Sequence, residues 1–291
     1  MNLEKLISHP DKVFWPEEGY TKLDIARFYA AVFPKLKPYV ADRLLTMERC
    51  PDGMRGGCFY QKEAPKGLPG ATPTKVIQHQ NRNVRYVVGG ALETQIALVN
   101  LGCIPVHVWG SRATNPRKPD WVVFDLDPGS GEFSDSAKAG LLFKEALDEL
   151  DLVSFPKTSG SRGLHVFVPL RPGPDFDEVL PFAKELCDRL AVAHPKELTV
   201  EQRIETRKGR VYLDPFRNGF GATVVAPYSV RRRDKAPFSM PLAWEEVKPT
   251  LVPSNFNLGN YEKRLAAPDP WKDFFAGRQS IKAAAKAVSK I

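Results

Sequence analysis

The chain has 291 residues, of which 43% are hydrophobic and 26% are charged, and these proportions are typical of a soluble globular protein. The N-terminus lacks a signal-peptide core and no apolar run could span a membrane, so we expect a cytoplasmic protein with no membrane partner. Lys and Arg number 42 against 34 for Asp and Glu, and the resulting charge of +8 favours a polyanionic partner. The four cysteines show no Cys-x-x-Cys spacing, which argues against zinc and against a disulfide framework, and fits a reducing compartment.

Two lysines flank the predicted start of the first long helix. Apolar residues recur at helical spacing from Leu23 to Phe33, and Thr21 is a suitable N-cap. Lys12 and Lys22 would then lie beside a positive helix N-terminus, where together they could clamp a terminal phosphate. Taken singly, both could equally be solvated surface charges.

The next segment carries aromatic residues beside positive charge. Residues 43–49 predict a strand, and a glycine-rich loop leads from it to Phe59 and Tyr60. Two adjacent aromatics next to Lys62 can form a stacking platform for bases, although one of the rings could instead belong to the core. Residues 76–88 have a polar centre between apolar flanks, which predicts a projecting hairpin.

A helix is predicted over residues 91–101, and the strand after it contains His107 between apolar neighbours. His107 could be a packed core histidine or, with Arg112 nearby, part of a phosphate contact.

Paired acids end the following strand. The run WVVF is β-branched and aromatic, which predicts a buried strand, and Asp125 and Asp127 at its end point to the same side. Two carboxylates held that close repel each other unless a cation lies between them, and divalent metal ions prefer oxygen ligands. The alternative is an ordinary strand end at which one aspartate caps a turn and the other is solvated. A second apolar strand, VYLD, ends in the same way at Asp214.

Amphipathic helices are predicted at residues 135–151 and 177–193, with a strand, a tight turn and a strand between them. The turn offers the hydroxyl of Ser159, permissive glycines and the guanidinium of Arg162, which could hold phosphate groups. His165 lies two residues into the second strand. A serine-rich turn can also be no more than a turn.

The C-terminal third is basic and rich in proline. Residues 200–203 predict a short strand, followed by a basic loop that contains Arg207. Three consecutive arginines begin at Arg231 and indicate a functional edge, although such a run can be only a solvated face. After residue 266, lysines at positions 282, 286 and 290 form one basic helical stripe.

In this order VFDLDP, TSGSRGLHVFVPL and VYLDPFRN resemble the three motifs of the archaeo-eukaryotic primase superfamily. The closer resemblance is to the polymerase domain of bacterial ligase D, supported by HPDKVFWPEEGYTK, CFYQKEAP, LVNLGCIPVHVW and APYSVR, and it covers roughly residues 5–265. The resemblance implies an α/β (α+β) primase-like fold with a central mixed or antiparallel sheet. An N-terminal αβ half would span about residues 1–105, an RRM-like catalytic half 106–265, and a basic tail or linker 266–291.

The resemblance also implies an active site. Asp125, Asp127 and Asp214 would be catalytic and would hold two divalent ions, Mn²⁺ or Mg²⁺. The triphosphate of the incoming nucleotide would contact five residues: Ser159, Arg162, His165, His107 and Arg231. Arg162 stands where relatives carry lysine, which keeps the charge but changes the donor geometry.

Contacts to DNA follow from the same resemblance. Lys12 and Lys22 would hold the 5′-phosphate of the downstream strand, while Phe59 and Tyr60 would stack on template bases. Arg207 would lie on a mobile loop that prepares the site, and the projection at residues 78–85 would help to bring two DNA ends together.

The implied function is a template-dependent nucleotidyltransferase, a DNA polymerase and primase that fills or extends 3′ ends at breaks and gaps during non-homologous end joining. It would prefer ribonucleotides and recognise a 5′-phosphate. Its partners would be DNA ends, gapped duplex DNA, NTPs or dNTPs, a DNA ligase and the Ku end-binding protein, at the nucleoid.

Two other functions fit part of the sequence. A two-metal nuclease or phosphoesterase also needs clustered carboxylates, but it does not explain the Ser/Arg/His turn. A non-catalytic module that only holds DNA ends would be expected to have lost one of the three aspartates.

Overall fold

The computed structural model describes residues 2–290. Its strands are β1 (Val13–Trp15), β2 (Tyr20–Thr21), β3 (Leu44–Arg49), β4 (Phe59–Gln61), β5 (Thr74–Gln78), β6 (Asn83–Val88), β7 (Cys103–Trp109), β8 (Ser111–Arg112), β9 (Asn115–Pro119), β10 (Trp121–Asp127), β11 (Phe155–Thr158), β12 (Leu164–Pro169), β13 (Leu198–Thr199), β14 (Val211–Asp214) and β15 (Thr223–Val225). Its helices are α1 (Leu3–Leu6), α2 (Lys22–Val40), α3 (Leu92–Asn100), α4 (Phe133–Glu149), α5 (Phe176–Ala193), α6 (Ile204–Arg207), α7 (Tyr261–Ala266) and α8 (Lys282–Ala287). None of the helices in this described part is long and apolar enough to cross a bilayer.

The chain forms two compact units, and each unit is assembled from separate segments of the sequence. The first comprises Met1–Thr114, Thr223–Ser239 and Ser254–Ala267, and the second comprises Asn115–Ala222, Met240–Pro253 and Pro268–Ile291. These units differ from the predicted halves, which placed one boundary after residue 105 and all of residues 106–265 together. A boundary there would cut through β7, which pairs with the much later strand β15. Residues 1 and 291 of the predicted ranges lie outside the described part.

The first unit is built on a six-stranded antiparallel sheet in the order β15-β7-β3-β6-β5, with β4 also paired to β3. The predicted strand at 43–49 is confirmed as β3, and the predicted hairpin is confirmed as β5 and β6. Helix α2 begins where the sequence predicts, because Thr21 and Asp24 cap each other's backbone N–H groups. Its buried face follows the predicted helical spacing.

A disulfide joins Cys50 and Cys58 in the first unit. The sequence argued against a disulfide framework and did not foresee this single bridge. The two Cα atoms are 4.4 Å apart because a short loop turns the chain back on itself, and Gly53 in that loop has a positive φ of 84° that glycine adopts readily. Spacing rules for metal motifs give no information about such a single local bridge.

The second unit is built on a five-stranded mixed sheet in the order β11-β12-β10-β14-β13. Its strands are antiparallel except that β13 runs parallel to β14. Side chains alternate along β10, and Phe124 on one face packs against Phe143 of α4, with the ring centroids 4.8 Å apart. The strand predicted at 200–203 is wrong: β13 ends at Thr199, and α6 follows.

The C-terminal segment covers part of the opposite face of this sheet, around Trp121, Phe155 and Phe167. Trp271 and Phe274 are buried, and the Trp271 ring lies 5.3 Å from that of Phe167 on β12. The described part of residues 266–291 is therefore not a separate tail or linker, because aromatic side chains fix it to the sheet. Lys282 and Lys286 of the predicted basic stripe are exposed on α8, and the side chain of Lys290 lies outside the described ones.

Candidate active site

Four polar residues form one row across four neighbouring strands of the second unit. Lys157 on β11 lies opposite His165 on β12, His165 lies opposite Asp125 on β10, and Asp125 lies opposite Asp214 on β14. Directly opposite residues of antiparallel strands project from the same face of a sheet. We call these four residues the cross-strand row. The register of the sheet thus brings Asp214 next to Asp125, as the resemblance to the primase motifs implied.

Hydrogen bonds connect the members of the row. His165 Nε2 lies 3.2 Å from Asp125 Oδ1. Arg217, in the turn after β14, places its Nε 3.1 Å from Asp125 Oδ2 and 3.3 Å from Asp214 Oδ2. Asp214 Oδ1 accepts a hydrogen bond of 2.8 Å from the backbone N–H of Phe216. Two acids from strands far apart in the sequence therefore converge on one guanidinium.

The three aspartates have different protonation behaviour because their neighbours differ. Burial alone would raise the pKa of Asp125, but His165 and Arg217 hold that pKa well below its usual range. Burial raises the pKa of Asp127 to about 7, and the charge of Asp125 adds to the rise. Burial also raises the pKa of Asp214, although Arg217 opposes the rise. The cluster is short of positive charge, which favours the binding of a cation.

The three acids supply donor atoms of the type that divalent cations prefer. Asp125, Asp127 and Asp214 offer carboxylate oxygens, the ligands that Mg²⁺ and Mn²⁺ prefer. Within residues 2–290, no group of three or more His, Cys, Asp or Glu side chains is arranged to hold a metal ion. The Arg217 guanidinium lies at the point where Asp125 and Asp214 converge.

We expect Arg217→Met to destabilise the metal-free protein by about 1 kcal/mol, because two facing carboxylates lose their counter-charge. The effect is no larger because the Arg217 side chain is 41% exposed and solvent screens part of the interaction. Mn²⁺ should then raise the melting temperature of the variant more than that of the wild type. Thermal melts with and without Mn²⁺ measure both effects, and Arg189→Met, which removes the surface pair with Glu185, is the matched control. Equal metal-induced shifts in wild type and variant would contradict the assignment.

Asp127 should make the stability of the metal-free protein depend on pH. Its folded pKa of about 7 exceeds the unfolded value of about 3.9, so the native state binds more protons between these pH values. Its contribution to stability is therefore complete below about pH 4 and is lost as the pH rises through about 7.

Asp127→Asn removes this charge, and we expect it to raise the melting temperature by about 5 °C at pH 8 in EDTA, with a smaller gain at pH 5. Asp148→Asn changes an exposed acid on α4 and should show no such difference between the two pH values. A gain for Asp127→Asn that is the same at both pH values would refute the assignment.

The turn between β11 and β12 lies against the acids. The Ser159 hydroxyl accepts hydrogen bonds from the backbone N–H groups of Ser161 and Gly163, at 3.2 and 3.1 Å. A Cβ at Gly163 would lie 2.8 Å from the Leu126 carbonyl oxygen and 3.3 Å from Asp127 Oδ1, so only glycine allows this approach. Ser159 thus shapes the turn, and its own hydroxyl proton remains a donor.

Arg162 lies in the turn between β11 and β12, and Arg207 ends α6. The Arg162 guanidinium lies beside Gly131, in the loop after β10. Arg207 donates hydrogen bonds to the carbonyls of Glu201 and Gln202, and its guanidinium lies over the Tyr212 ring, 4.2 Å from the centroid. Its charge lowers the pKa of Asp127 and Asp214, against the larger effect of burial. The mobility assigned to this loop stays a prediction.

In the first unit, Lys12 and Lys22 line one cavity of about 610 Å³. Lys22 is 6% exposed and donates hydrogen bonds to the Ser8 carbonyl at 2.8 Å and to Asn100 Oδ1 at 2.9 Å. Burial lowers its pKa, and the charge of Lys12 adds to the shift. Lys12 lies 3.1 Å from Asp52 Oδ1. The structure therefore brings together the two lysines that the sequence paired.

Phe59 and Tyr60 also lie in the first unit and are 48% and 62% exposed. As neighbours on a strand they project to opposite faces, so a single base cannot stack on both rings. Tyr60 packs edge-on against His107, with the ring centroids 5.6 Å apart. Burial and then Glu48 raise the pKa of the Tyr60 phenol, while the charge of Arg231 opposes the rise. His107, Tyr60 and Arg231 thus form a local group, and their contacts to nucleotide stay predictions.

Arg217 and Lys157 were not among the site residues predicted from the sequence. The signal for Arg217 was available, because it lies three residues after Asp214 in a turn that carries the chain back toward β10. Lys157 gave no such signal, since it stands in an apolar strand and becomes significant only through its register with His165.

Comparisons with known proteins place the chain in a family. Residues 21–271 match the family described as the LigD primase-polymerase domain. The chain is 34% identical over 283 residues to the multifunctional non-homologous end joining protein LigD of Pseudomonas aeruginosa, covering 96% of this chain and 34% of that protein. It is 29% identical over 272 residues to the bifunctional LigD of Bacillus subtilis, covering 92% of this chain and 44% of that protein. The chain therefore spans less than half the length of these relatives.

A solved structure is similar over nearly its whole length. The polymerase domain of Mycobacterium tuberculosis ligase D, in complex with DNA, superposes with a TM-score of 0.87 at 28% identity, covering 94% of this chain and 98% of that one. The predicted α/β fold class is confirmed by this similarity.

Proposed function

Because the chain belongs to the LigD primase-polymerase domain family, we propose that it is a template-dependent nucleotidyltransferase that extends or fills DNA 3′ ends at gaps and double-strand breaks. The observation that carries the proposal is the convergence of Asp125 and Asp214 across two strands, with Asp127 on the same face and the Ser159 turn beside it. A nuclease would need the acids, but it would not need an anion-binding turn against them.

The acids would hold two divalent cations, Mn²⁺ or Mg²⁺. When bound, such ions lower the pKa of an attacking hydroxyl and offset charge on a transferring phosphoryl group. Asp125 and Asp214 would orient the primer end, with His165 and Arg217 fixing the direction of the Asp125 carboxylate. Arg162 and the backbone of the turn would take the triphosphate oxygens.

DNA would be recognised by the first unit. Its cavity with Lys12 and Lys22 offers two ammonium groups to a 5′-phosphate, and the exposed ring of Phe59 or Tyr60 offers a surface for a template base. The hairpin of β5 and β6 would help to bring two ends together. We also propose a DNA ligase and the Ku end-binding protein as partners at the nucleoid, since the longer relatives are named as end-joining proteins.

A primer-extension assay on a gapped duplex tests the function. The protein is incubated with Mn²⁺ or Mg²⁺ and with either rNTPs or dNTPs, and we expect templated addition that is faster with ribonucleotides. Loss of labelled nucleotides from DNA in the absence of NTPs would support a nuclease instead. Binding of DNA with neither addition nor cleavage would support the non-catalytic module and refute the polymerase.

A further inference from the structure

A lysine is fully buried at one end of the cross-strand row. Lys157 has no exposed surface, and its Nζ lies 2.9 Å from His165 Nδ1. The same Nζ lies 5.6 Å from the centroid of the Phe167 ring, one of the aromatic residues that the C-terminal segment covers. Burying an ammonium group costs free energy that a neutral side chain of similar size would not cost. A lysine at this position is therefore unlike a side chain that only fills space in the core.

The register of the sheet determines the face from which Lys157 projects. It is the cross-strand partner of His165, and His165 is the partner of Asp125, so the three side chains project from the same face in sequence across the strands. An ammonium group has only donors, so the imidazole nitrogen that faces it must accept. The ring proton then belongs on Nε2, which lies 3.2 Å from Asp125 Oδ1 and can donate to it.

We propose that Lys157 is a positioning residue that fixes the orientation and tautomer of His165, and through it the direction of the Asp125 carboxylate. His165 holds one oxygen of Asp125 and Arg217 holds the other, so the carboxylate is fixed from both sides. Groups behind a ligand often orient it in this way, and their loss costs roughly 10- to 100-fold in metal affinity or activity. The inference deepens the proposed function and rests on it.

The first test is spectroscopic and needs no catalysis. Long-range ¹H–¹⁵N correlation spectra of the histidine-labelled full chain in EDTA report which nitrogen of each ring carries the proton, and His165→Gln identifies the His165 signals among the five histidines. We expect a single His165 tautomer with the proton on Nε2 and Nδ1 as acceptor. A proton on Nδ1 in the wild type would overturn the proposal, whatever the behaviour of any variant.

The second test uses Lys157→Met, which keeps the length of the side chain and removes its donor. We expect His165 to lose its single tautomer and kcat for primer extension to fall about 10- to 100-fold, with unchanged affinity for gapped DNA. Lys138→Met removes an exposed lysine of α4 in the same unit and should alter neither quantity.

An unchanged His165 spectrum and kcat in folded Lys157→Met would show that Lys157 does not orient His165. If the wild type itself fails to extend primers, the proposed function fails, while the His165 spectrum still decides the assignment of Lys157. The two hypotheses therefore fail in different experiments.

Discussion

Asp125→Asn is expected to lower nucleotide addition by about a thousandfold while leaving the affinity for gapped DNA unchanged. Asp125 is the acid at the centre of the row, bonded to His165 through one oxygen and to Arg217 through the other. Asparagine has nearly the same shape, but it carries no negative charge. Its amide NH₂ group would also face a donor, either His165 or Arg217, where the carboxylate oxygen accepts. The variant should therefore fold and bind DNA, and yet fail to hold a divalent cation.

Primer extension under single-turnover conditions and fluorescence anisotropy with labelled DNA measure the two quantities separately. Asp148→Asn is the matched control, because it removes an exposed acid of the same unit that pairs with Lys144. Addition by Asp125→Asn at the wild-type rate would remove Asp125 from the chemistry and leave the proposed mechanism without its central ligand.

Replacing both Lys12 and Lys22 with methionine should abolish the preference for gaps that carry a 5′-phosphate, a loss of about 100-fold in relative affinity. Each ammonium would make a charge-assisted hydrogen bond to the phosphate, which typically contributes about 1.5–3 kcal/mol. Methionine keeps much of the buried stem, which matters because Lys22 is 6% exposed and bonded to Ser8 and Asn100. The affinity for an unphosphorylated gap should change much less.

Competition binding with phosphorylated and unphosphorylated gaps gives the ratio directly. Lys37→Met removes one exposed lysine elsewhere on α2 and controls for the loss of net charge. If the wild type binds both gaps equally, the cavity lined by the two lysines is not a phosphate site. Thermal melts establish that any loss of binding does not come from unfolding.

The sequence alone predicted the features that depend only on residues close together along the chain. The apolar run before Asp125 predicts a strand and the alternation puts Asp127 on the same face, because both follow from a repeat of two residues. The cap at Thr21 is local in the same sense. The position of Asp214 opposite Asp125 is not local, and only the family motifs pointed to it.

The features that the sequence did not predict depend on contacts between segments that are distant along the chain. Lys157 looks like an interruption in an apolar strand until β11 is aligned with β12. The C-terminal segment looks like a tail because its aromatic partners, such as Phe167, lie far back in the sequence. The boundary after residue 105 fails for the same reason, since β15 returns to pair with β7. Such pairings cannot be predicted from a repeat or a spacing within a short stretch of sequence.

The cross-strand row also constrains how the protein can fold and vary. Asp125 and Asp214 meet only when β14 has joined β10 in one particular alignment, and a shift of a single residue would turn Asp214 to the helix-covered face. Chain segments so distant in sequence tend to associate late, because closing the long intervening loop costs entropy. A partly folded chain would therefore contain both strands and still lack the cross-strand row. Insertions between them are tolerable only if they leave that alignment intact.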